Sequence, residues 1–197
     1  MDAFLVVGLG NPGTQYAGNR HNAGAMVIAE LAARSHANLK RHKARAHVAD
    51  VRLGVAAGGA PGPKAVLGQP MSFMNLSGGP VSALLQYYSI PLEHLIVVHD
   101  ELDIPFGDVR IKKGGGEGGH NGLRSISAAV GSKDYVRVRV GVGRPPGRQD
   151  PADYVLKNFS SSEKVEAEVM VARAADAVEM LAERGVVATQ QVFHAAS

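Results

Sequence analysis

The 197-residue sequence contains no cysteine and no tryptophan, and only 5% of its residues are aromatic. Without cysteine, disulfide bonds, cysteine nucleophiles and thiolate metal sites are excluded. Long hydrophobic runs are also absent, because no apolar segment approaches the roughly 18–20 residues that span a bilayer. The short apolar stretch at residues 4–7 lacks the basic flank and the length of a signal peptide. These absences predict a cytoplasmic protein that makes no contact with a membrane.

Neither sign of charge dominates the composition. There are 21 Lys and Arg residues against 18 Asp and Glu residues, which gives a formal net charge of +3. This mildly basic balance is compatible with a nucleic-acid partner but does not by itself indicate one. Hydrophobic residues make up 45% of the chain, which excludes a disordered chain and provides a core for one domain. We therefore expect a single domain over residues 1–197.

Hydrophobic spacing predicts that strands and helices interleave along the chain. Apolar or alternating runs predict strands at residues 3–9, 46–53, 64–69, 95–98, 109–112 and 136–140. Helical spacing and capping residues predict helices at residues 22–34, from Ser77 to just before Pro91, at residues 121–130, and from a capping box at residues 160–163 to Gly185. Residues 54–63 are rich in Gly, Ala and Pro and indicate a hairpin loop. The class is α/β, with a mixed sheet.

The first loop contains a glycine pattern found in dinucleotide-binding proteins. The motif GLGNPG at residues 8–13 matches G-x-G-x-x-G after a strand. However, Pro12 and the polar stretch at residues 14–20 delay the following helix, and no acidic residue ends a second strand about 20 residues later. A dinucleotide site is therefore a weak interpretation. A tight glycine turn without a ligand is a second one.

His21 and Asp100 are the candidates for acid–base chemistry. His21 lies just before a predicted helix, whose N-terminal partial charge disfavours imidazolium and favours the neutral base. Asp100 follows a buried strand, where functional residues of open α/β sheets are found, and could orient the imidazole. A surface or capping role for His21, and Mg²⁺ binding by the acidic cluster at residues 100–103, are the alternatives. Since G-x-S-x-G and H-E-x-x-H are absent, a hydrolase would use water activated by His21.

Three asparagines stand beside glycine or at junctions between loops and helices or strands: Asn11, Asn75 and Asn121. Neutral amides both donate and accept hydrogen bonds, which suits a peptide backbone or a developing oxyanion. Each of them taken alone is more often a turn or cap residue.

Basic residues flank a glycine-rich loop at residues 114–119. Lys112 and Lys113 precede the loop, and Arg137 and Arg139 share one face of a predicted strand. Such cations can bind nucleic-acid phosphates without reading the bases. A solvated basic face beside a mobile loop is the alternative.

Several long motifs together resemble the bacterial peptidyl-tRNA hydrolase family. They are GLGNPG at residues 8–13 with Tyr16 and RHNAG at residues 20–24, FMNLSG at residues 73–78, HDELD at residues 99–103, GGHNGL at residues 118–123, and the strand at residues 137–143. The likeness runs from about residue 4 to residue 185, in order and at fitting spacing.

The resemblance implies a single α/β domain with a twisted mixed sheet, usually monomeric, acting on peptidyl-tRNA without a metal, a cofactor or an obligate protein partner. The implied reaction is hydrolysis of the ester between a peptide and the 3′ end of its tRNA. The implied roles are catalytic for His21, Asp100 and Asn11, substrate-binding for Tyr16, Asn22, Met74, Asn75 and Asn121, and binding of the tRNA 5′-phosphate for Lys112 and Arg139. The loop at residues 114–119 and the segment at residues 150–156 would border the channel.

One position departs from the family pattern. Glu117 places a carboxylate inside the glycine-rich loop, where it is expected to weaken nearby phosphate contacts. The loop at residues 54–63 is given no role.

The alternative function of another class is that of a non-catalytic RNA-binding relative, as among plant organelle splicing factors of this fold. The intact set of His21, Asp100 and asparagines argues against this alternative.

Overall fold

The buried run at the start of the chain forms the middle of a seven-stranded sheet in a computed structural model that describes residues 3–194. The strands are β1 (Phe4–Gly8), β2 (Lys40–His42), β3 (Ala46–Arg52), β4 (Lys64–Pro70), β5 (Leu95–Glu101), β6 (Val109–Lys113) and β7 (Val136–Gly141). Their order is β2-β3-β4-β1-β5-β7-β6. The strands β4, β1, β5 and β7 are parallel, whereas β2, β3 and β6 pair antiparallel with their neighbours. The predicted mixed α/β sheet is therefore confirmed.

Helices cover both faces of the sheet. They are α1 (Ala23–Arg34), α2 (Gly78–Tyr87), α3 (Asn121–Val130), α4 (Pro151–Val155), α5 (Lys164–Arg184) and α6 (Val186–His194). Because side chains alternate along each strand, Val6 and Val98 pack under α1 and α5, while Leu5 and Val97 pack under α2 and α3. No helix within residues 3–194 is long and apolar enough to cross a membrane.

Two glycines let α1 lie directly on the sheet. A Cβ added to Gly24 would overlap the carbonyl oxygen of Val98, and one added to Gly8 would overlap the carbonyl oxygen of Gly24. The start of α1 is therefore held against β1 and β5 at backbone distance. This close approach places His21, in the short 3₁₀ turn Arg20–Asn22 before α1, beside the end of β5.

The structure differs from the predictions in four features. The strand β2 and the helices α4 and α6 were not expected, and the side chain of Ser77 does not cap α2 because its hydroxyl donates to the carbonyl of Met74 at 2.7 Å. The loop at residues 54–63 joins the antiparallel strands β3 and β4, as the hairpin prediction required, and contains a bridge between Val55 and Pro61.

Candidate active site

The site lies at the edge of the sheet where the parallel strands β1, β4 and β5 end. A pocket of about 400 Å³ opens there, and its lining includes Asn11, His21, Met74, Asn75, Asp100 and Asn121. These six residues come from motifs spread over more than half of the chain. The structure thus brings together most of the residues predicted for catalysis and substrate binding.

His21 and Asp100 form a hydrogen-bonded pair in this pocket, with 2.8 Å between Nδ1 of His21 and Oδ2 of Asp100. Asp100 is 4% exposed. Burial raises the pKa of Asp100, but the imidazoles of His21 and His120 outweigh it and hold the pKa well below its ordinary value. The carboxylate therefore stays ionised at neutral pH.

The pKa of His21 is shifted by the same pair. Burial lowers the pKa of His21, and the charge and hydrogen bond of Asp100 outweigh burial, so the pKa lies above its ordinary value of 6.5. The carboxylate therefore acts on this pKa in the direction opposite to that expected of the helix N-terminus.

A second imidazole, from His120, binds the other carboxylate oxygen. Its Nε2 lies 2.8 Å from Oδ1 of Asp100. Its Nδ1 caps α3 by accepting the backbone N–H groups of Gly122 at 3.1 Å and Leu123 at 3.4 Å. Since backbone amides can only donate, Nδ1 of His120 must carry the lone pair and Nε2 the hydrogen.

This arrangement fixes the tautomer of His21 as well. Asp100 accepts an N–H from each imidazole, so His21 carries its hydrogen on Nδ1 and leaves Nε2 as an acceptor. The role of His120 was missed, although a histidine directly before a predicted helix start was a signal that its ring could cap the helix.

His21, Asp100 and His120 each offer a ligand atom within 4.8 Å of the others, the spacing of a metal site. However, metal binding at Nε2 of His120 would move its hydrogen to Nδ1, against two amide donors of α3. This donor set therefore does not fit a metal ion.

The Mg²⁺ alternative at residues 100–103 also finds no support. Glu101 pairs with Arg139 at 3.0 Å and Asp103 pairs with Arg144 at 2.6 Å. The carboxylates are directed to separate cations and do not converge on one point.

Asn11 is held so that its amide nitrogen remains a donor. Its Oδ1 accepts the backbone N–H of Met74 at 2.7 Å. The side chain of Asn22 bonds to both backbone groups of Asn11, accepting its N–H and donating to its carbonyl at 2.9 Å each. The predicted contact of Asn22 with substrate is therefore wrong, because this buried amide is used to position Asn11.

The other predicted contacts differ in their position relative to the pocket. Asn75 and Asn121 are exposed residues in its lining. Tyr16 does not belong to the lining within the described chain. Its ring instead lies edge-on to Phe73, a lining residue, at 6.4 Å between centroids.

Lys112 and Arg139 line a second cavity of about 270 Å³ that shares Glu101 and Gly118 with the catalytic pocket. Nε and Nη2 of Arg139 both donate to Oε1 of Glu101, at 3.1 and 3.0 Å. The two cations predicted to bind phosphate are therefore adjacent to the catalytic pocket.

Arg137 has a different role from the predicted phosphate contact, although it shares a strand face with Arg139. It is 1% exposed, and its guanidinium donates to the carbonyl oxygens of Gly114, Gly115 and Gly116. Arg137 thus holds the glycine-rich loop, and it also belongs to the lining of the cavity that Lys112 and Arg139 share.

Glu117 lines the same cavity as Lys112 and Arg139 and forms an ion pair with Lys133 at 3.5 Å. Its negative charge is therefore partly offset from outside the cavity. The predicted weakening of phosphate contacts stays a prediction.

The fold and this geometry define an α/β protein with a histidine–carboxylate acid–base pair at the strand ends and neutral amides around it. The sequence profile of the family described as Peptidyl-tRNA hydrolase matches residues 5–197. The chain belongs to this family, and the resemblance found in the sequence is confirmed.

Individual relatives agree with the family assignment. A peptidyl-tRNA hydrolase of Kineococcus radiotolerans is 64% identical over 98% of both chains, and one of Pseudarthrobacter chlorophenolicus is 59% identical over 99% of this chain and 97% of its own. The crystal structure of peptidyl-tRNA hydrolase from Acinetobacter baumannii is 34% identical, covers 98% of this chain and 95% of its own, and superposes with a TM-score of 0.86.

Proposed function

We propose that this chain hydrolyses the ester bond between a peptide and the 3′ end of tRNA, with His21 as the general base. The observation that carries the proposal is the His21–Asp100 hydrogen bond, which leaves Nε2 of His21 as an acceptor in a pocket lined by neutral amides. The family of the chain supplies the substrate class.

In the proposed reaction, Nε2 of His21 takes a proton from water as the water oxygen bonds to the ester carbonyl carbon. The amide nitrogen of Asn11 donates to the carbonyl oxygen as it becomes an oxyanion. The imidazolium then gives its proton to the 3′ ribose oxygen as the carbon–oxygen bond breaks. Asp100 stabilises the transient imidazolium, and His120 is a positioning residue that orients Asp100.

The proposed reaction forms no covalent intermediate with the enzyme. Every catalytic group that it uses comes from one chain. We propose accordingly that the protein acts as a cytoplasmic monomer, as a single domain over residues 1–197, without a metal, a cofactor or an obligate protein partner. Catalysis without a metal is supported by His120, because metal binding would force an unfavourable change of its tautomer.

The amides of the pocket predict selection for a blocked α-nitrogen. Asn11, Asn75 and Asn121 can pair with the N–H and C=O of an amide, whereas a free ammonium ion loses hydration on entering. The two carboxylates of the lining offer it little compensation, because Glu101 is paired with Arg139. Asp100 already accepts one N–H from each of two imidazoles. It is therefore poorly placed to stabilise the ammonium group of an unblocked substrate. We expect kcat/KM for an N-acetylaminoacyl-tRNA to exceed that for the unblocked aminoacyl-tRNA by roughly 10²-fold or more.

The measurement compares the two substrates on the same tRNA at neutral pH. Hydrolysis of the blocked substrate tests the proposed function itself. Equal kcat/KM for both would show that the asparagines do not select the amide, and no hydrolysis of either would overturn the function.

We also propose that Lys112 and Arg139 bind the 5′-phosphate of the tRNA. Replacing either by alanine is expected to raise KM for peptidyl-tRNA roughly 3–30-fold and to reduce its salt dependence, because one phosphate contact is lost. A minimal ester substrate without the tRNA body should be hydrolysed nearly as well as by the wild type.

The matched control for this prediction is Lys113→Ala, which removes a neighbouring exposed cation that does not belong to the cavity lining. An equal loss on both substrates would place Lys112 and Arg139 in the chemistry and contradict the phosphate role.

A further inference from the structure

The hairpin that joins β2 and β3 carries four exposed cations, Lys40, Arg41, Lys43 and Arg45. None of them forms an ion pair within residues 3–194. The ammonium of Lys43 lies 5.0 Å from the ring centroid of Tyr87, a side chain that is itself 55% exposed. We call residues 40–45 together with Tyr87 the hairpin surface.

The hairpin surface lies along the outer side of α2. The ring of His42 contacts Tyr87 at the end of this helix, with 4.5 Å between centroids. Nη2 of Arg45 would lie 3.0 Å from a Cβ added to Gly79, at the start of the helix. Lys43 and Arg45 therefore border the same layer of the molecule that contains α2 and α3.

Lys112 and Arg139 face the same side of the sheet. Ile111 and Val138 pack into the core under α1 and α5, so alternation turns their neighbours Lys112 and Arg139 toward the α2–α3 side. In the strand order, β3 and β6 are five strand spacings apart, which corresponds to about 24 Å. One face thus carries cations at both of its borders.

The charges of the two faces differ. The sequence has no Asp or Glu from residue 51 to residue 92, α2 has no charged residue at all, and the only charged residue of α3 is Arg124. On the opposite face, α5 contains five acidic residues against three basic ones, and two of the acidic residues, Asp176 and Glu179, pair with Arg34. A polyanion would therefore be attracted more strongly to the α2–α3 face, where the hairpin cations have no acidic ion-pair partner within the described residues.

We propose that the hairpin surface is a second RNA-backbone contact, which binds the tRNA body while its acceptor end occupies the catalytic pocket. The RNA would cross the α2–α3 face, from Lys112 and Arg139 at one border to Lys43 and Arg45 at the other. The unpaired cations Lys43 and Arg45, beside an aromatic ring, match a sugar–phosphate backbone, whose charges repeat at regular intervals. This inference rests on the proposed function for the identity of the RNA.

An acidic protein is the other class of polyanion that could bind here, but RNA is favoured by position. The loop that follows β4 starts beside the hairpin, since the backbone N–H of Met71 donates to the carbonyl of Arg45 at 2.8 Å, and continues to Met74 and Asn75 in the pocket lining. The hairpin cations are therefore close in the chain and in space to the loop that lines the pocket, where the proposed function places the end of an anionic substrate.

The test uses the double variant Lys43→Gln, Arg45→Gln in the full chain. Its matched control is Lys164→Gln, Arg184→Gln, which removes the same charge from exposed positions at the two ends of α5. We expect the hairpin variant to weaken binding of deacylated full-length tRNA roughly 3–10-fold at 0.15 M salt, and to lower the slope of log Kd against log salt by about 1–2. The control variant should change neither.

Hydrolysis separates this contact from the catalytic pocket. With N-acetylaminoacyl-tRNA the hairpin variant should raise KM and leave kcat unchanged, and with a short N-acetylaminoacyl ester ending in CCA it should change neither. Unchanged tRNA binding in the hairpin variant overturns the proposal and leaves an acidic protein as the partner. An equal effect of the α5 control also overturns it. If the wild type binds tRNA through the hairpin surface but hydrolyses no ester, the proposed function fails and the RNA contact stands.

Discussion

Replacing His21 by alanine is expected to lower kcat by roughly 10²–10⁴-fold, because the group that takes the proton from water is lost. The proposed substrate contacts of Asn75 and Asn121 are untouched, so KM should change little. The fold should persist, since the ring of His21 is partly exposed and makes one hydrogen bond, to Asp100. Single-turnover hydrolysis of N-acetylaminoacyl-tRNA measures the effect.

The control for this variant is His47→Ala, which removes a partly buried histidine on β3 outside the lining of the catalytic pocket. It should leave kcat unchanged. A folded His21→Ala protein with near-normal turnover would contradict the assignment of His21 as the base.

The sequence patterns predicted the strands best where the positions of apolar residues are determined by burial alone. Alternation along β7 and the apolar run of β5 depend on burial, and both strands were predicted within a few residues of their bounds. The strand β2 is only three residues long, with the polar sequence Lys40–His42, and gives no apolar signal. The helix α4 did have a signal, since Asp150 caps it and Pro151 opens it.

The sequence predicted the residues of the site and the pairing of His21 with Asp100, but not the contacts of His120, Asn22 or Arg137. His21 and Asp100 are 79 positions apart, and their pairing depends on the parallel order of β1 and β5, which is a property of the whole sheet. Arg137 and Arg139 illustrate the limit, because alternation puts both on one face. The difference comes from the path of the loop at residues 114–116, whose carbonyl oxygens accept hydrogen bonds from the buried guanidinium of Arg137.

The structure also explains why one carboxylate serves two imidazoles. His120 is committed by the cap of α3 to donate from Nε2, so its bond leaves Asp100 one oxygen for His21. The positions of the hydrogens on both imidazoles therefore depend on residue 100, which must accept two hydrogen bonds. That dependence leads to the second large expected effect.

The variant Asp100→Asn is expected to lose roughly 10²–10⁴-fold in kcat although its side chain has the same shape. An amide offers only one acceptor oxygen, and His120 needs it. The NH₂ group then faces Nδ1 of His21, which must accept, so the hydrogen of His21 moves to Nε2 and the base loses its lone pair. Circular dichroism should show an intact fold, because a neutral amide is buried at less cost than a carboxylate.

The pH dependence distinguishes this tautomer effect from simple misfolding. In the wild type the base is active only when neutral, so kcat falls as the pH decreases through the pKa of His21, which Asp100 holds above 6.5. Removing the carboxylate removes the influence that raises this pKa. The residual activity of Asp100→Asn should therefore show its acidic limb at lower pH than the wild type.

A double variant completes the test. If His21 and Asp100 act as one unit, His21→Ala combined with Asp100→Asn should lose no more activity than His21→Ala alone, because the carboxylate has no imidazole left to orient. Multiplied losses in the double variant, or an acidic limb that stays in place in Asp100→Asn, would mean that Asp100 contributes to catalysis by a route other than His21. The three rate constants and two pH profiles can all be measured on N-acetylaminoacyl-tRNA.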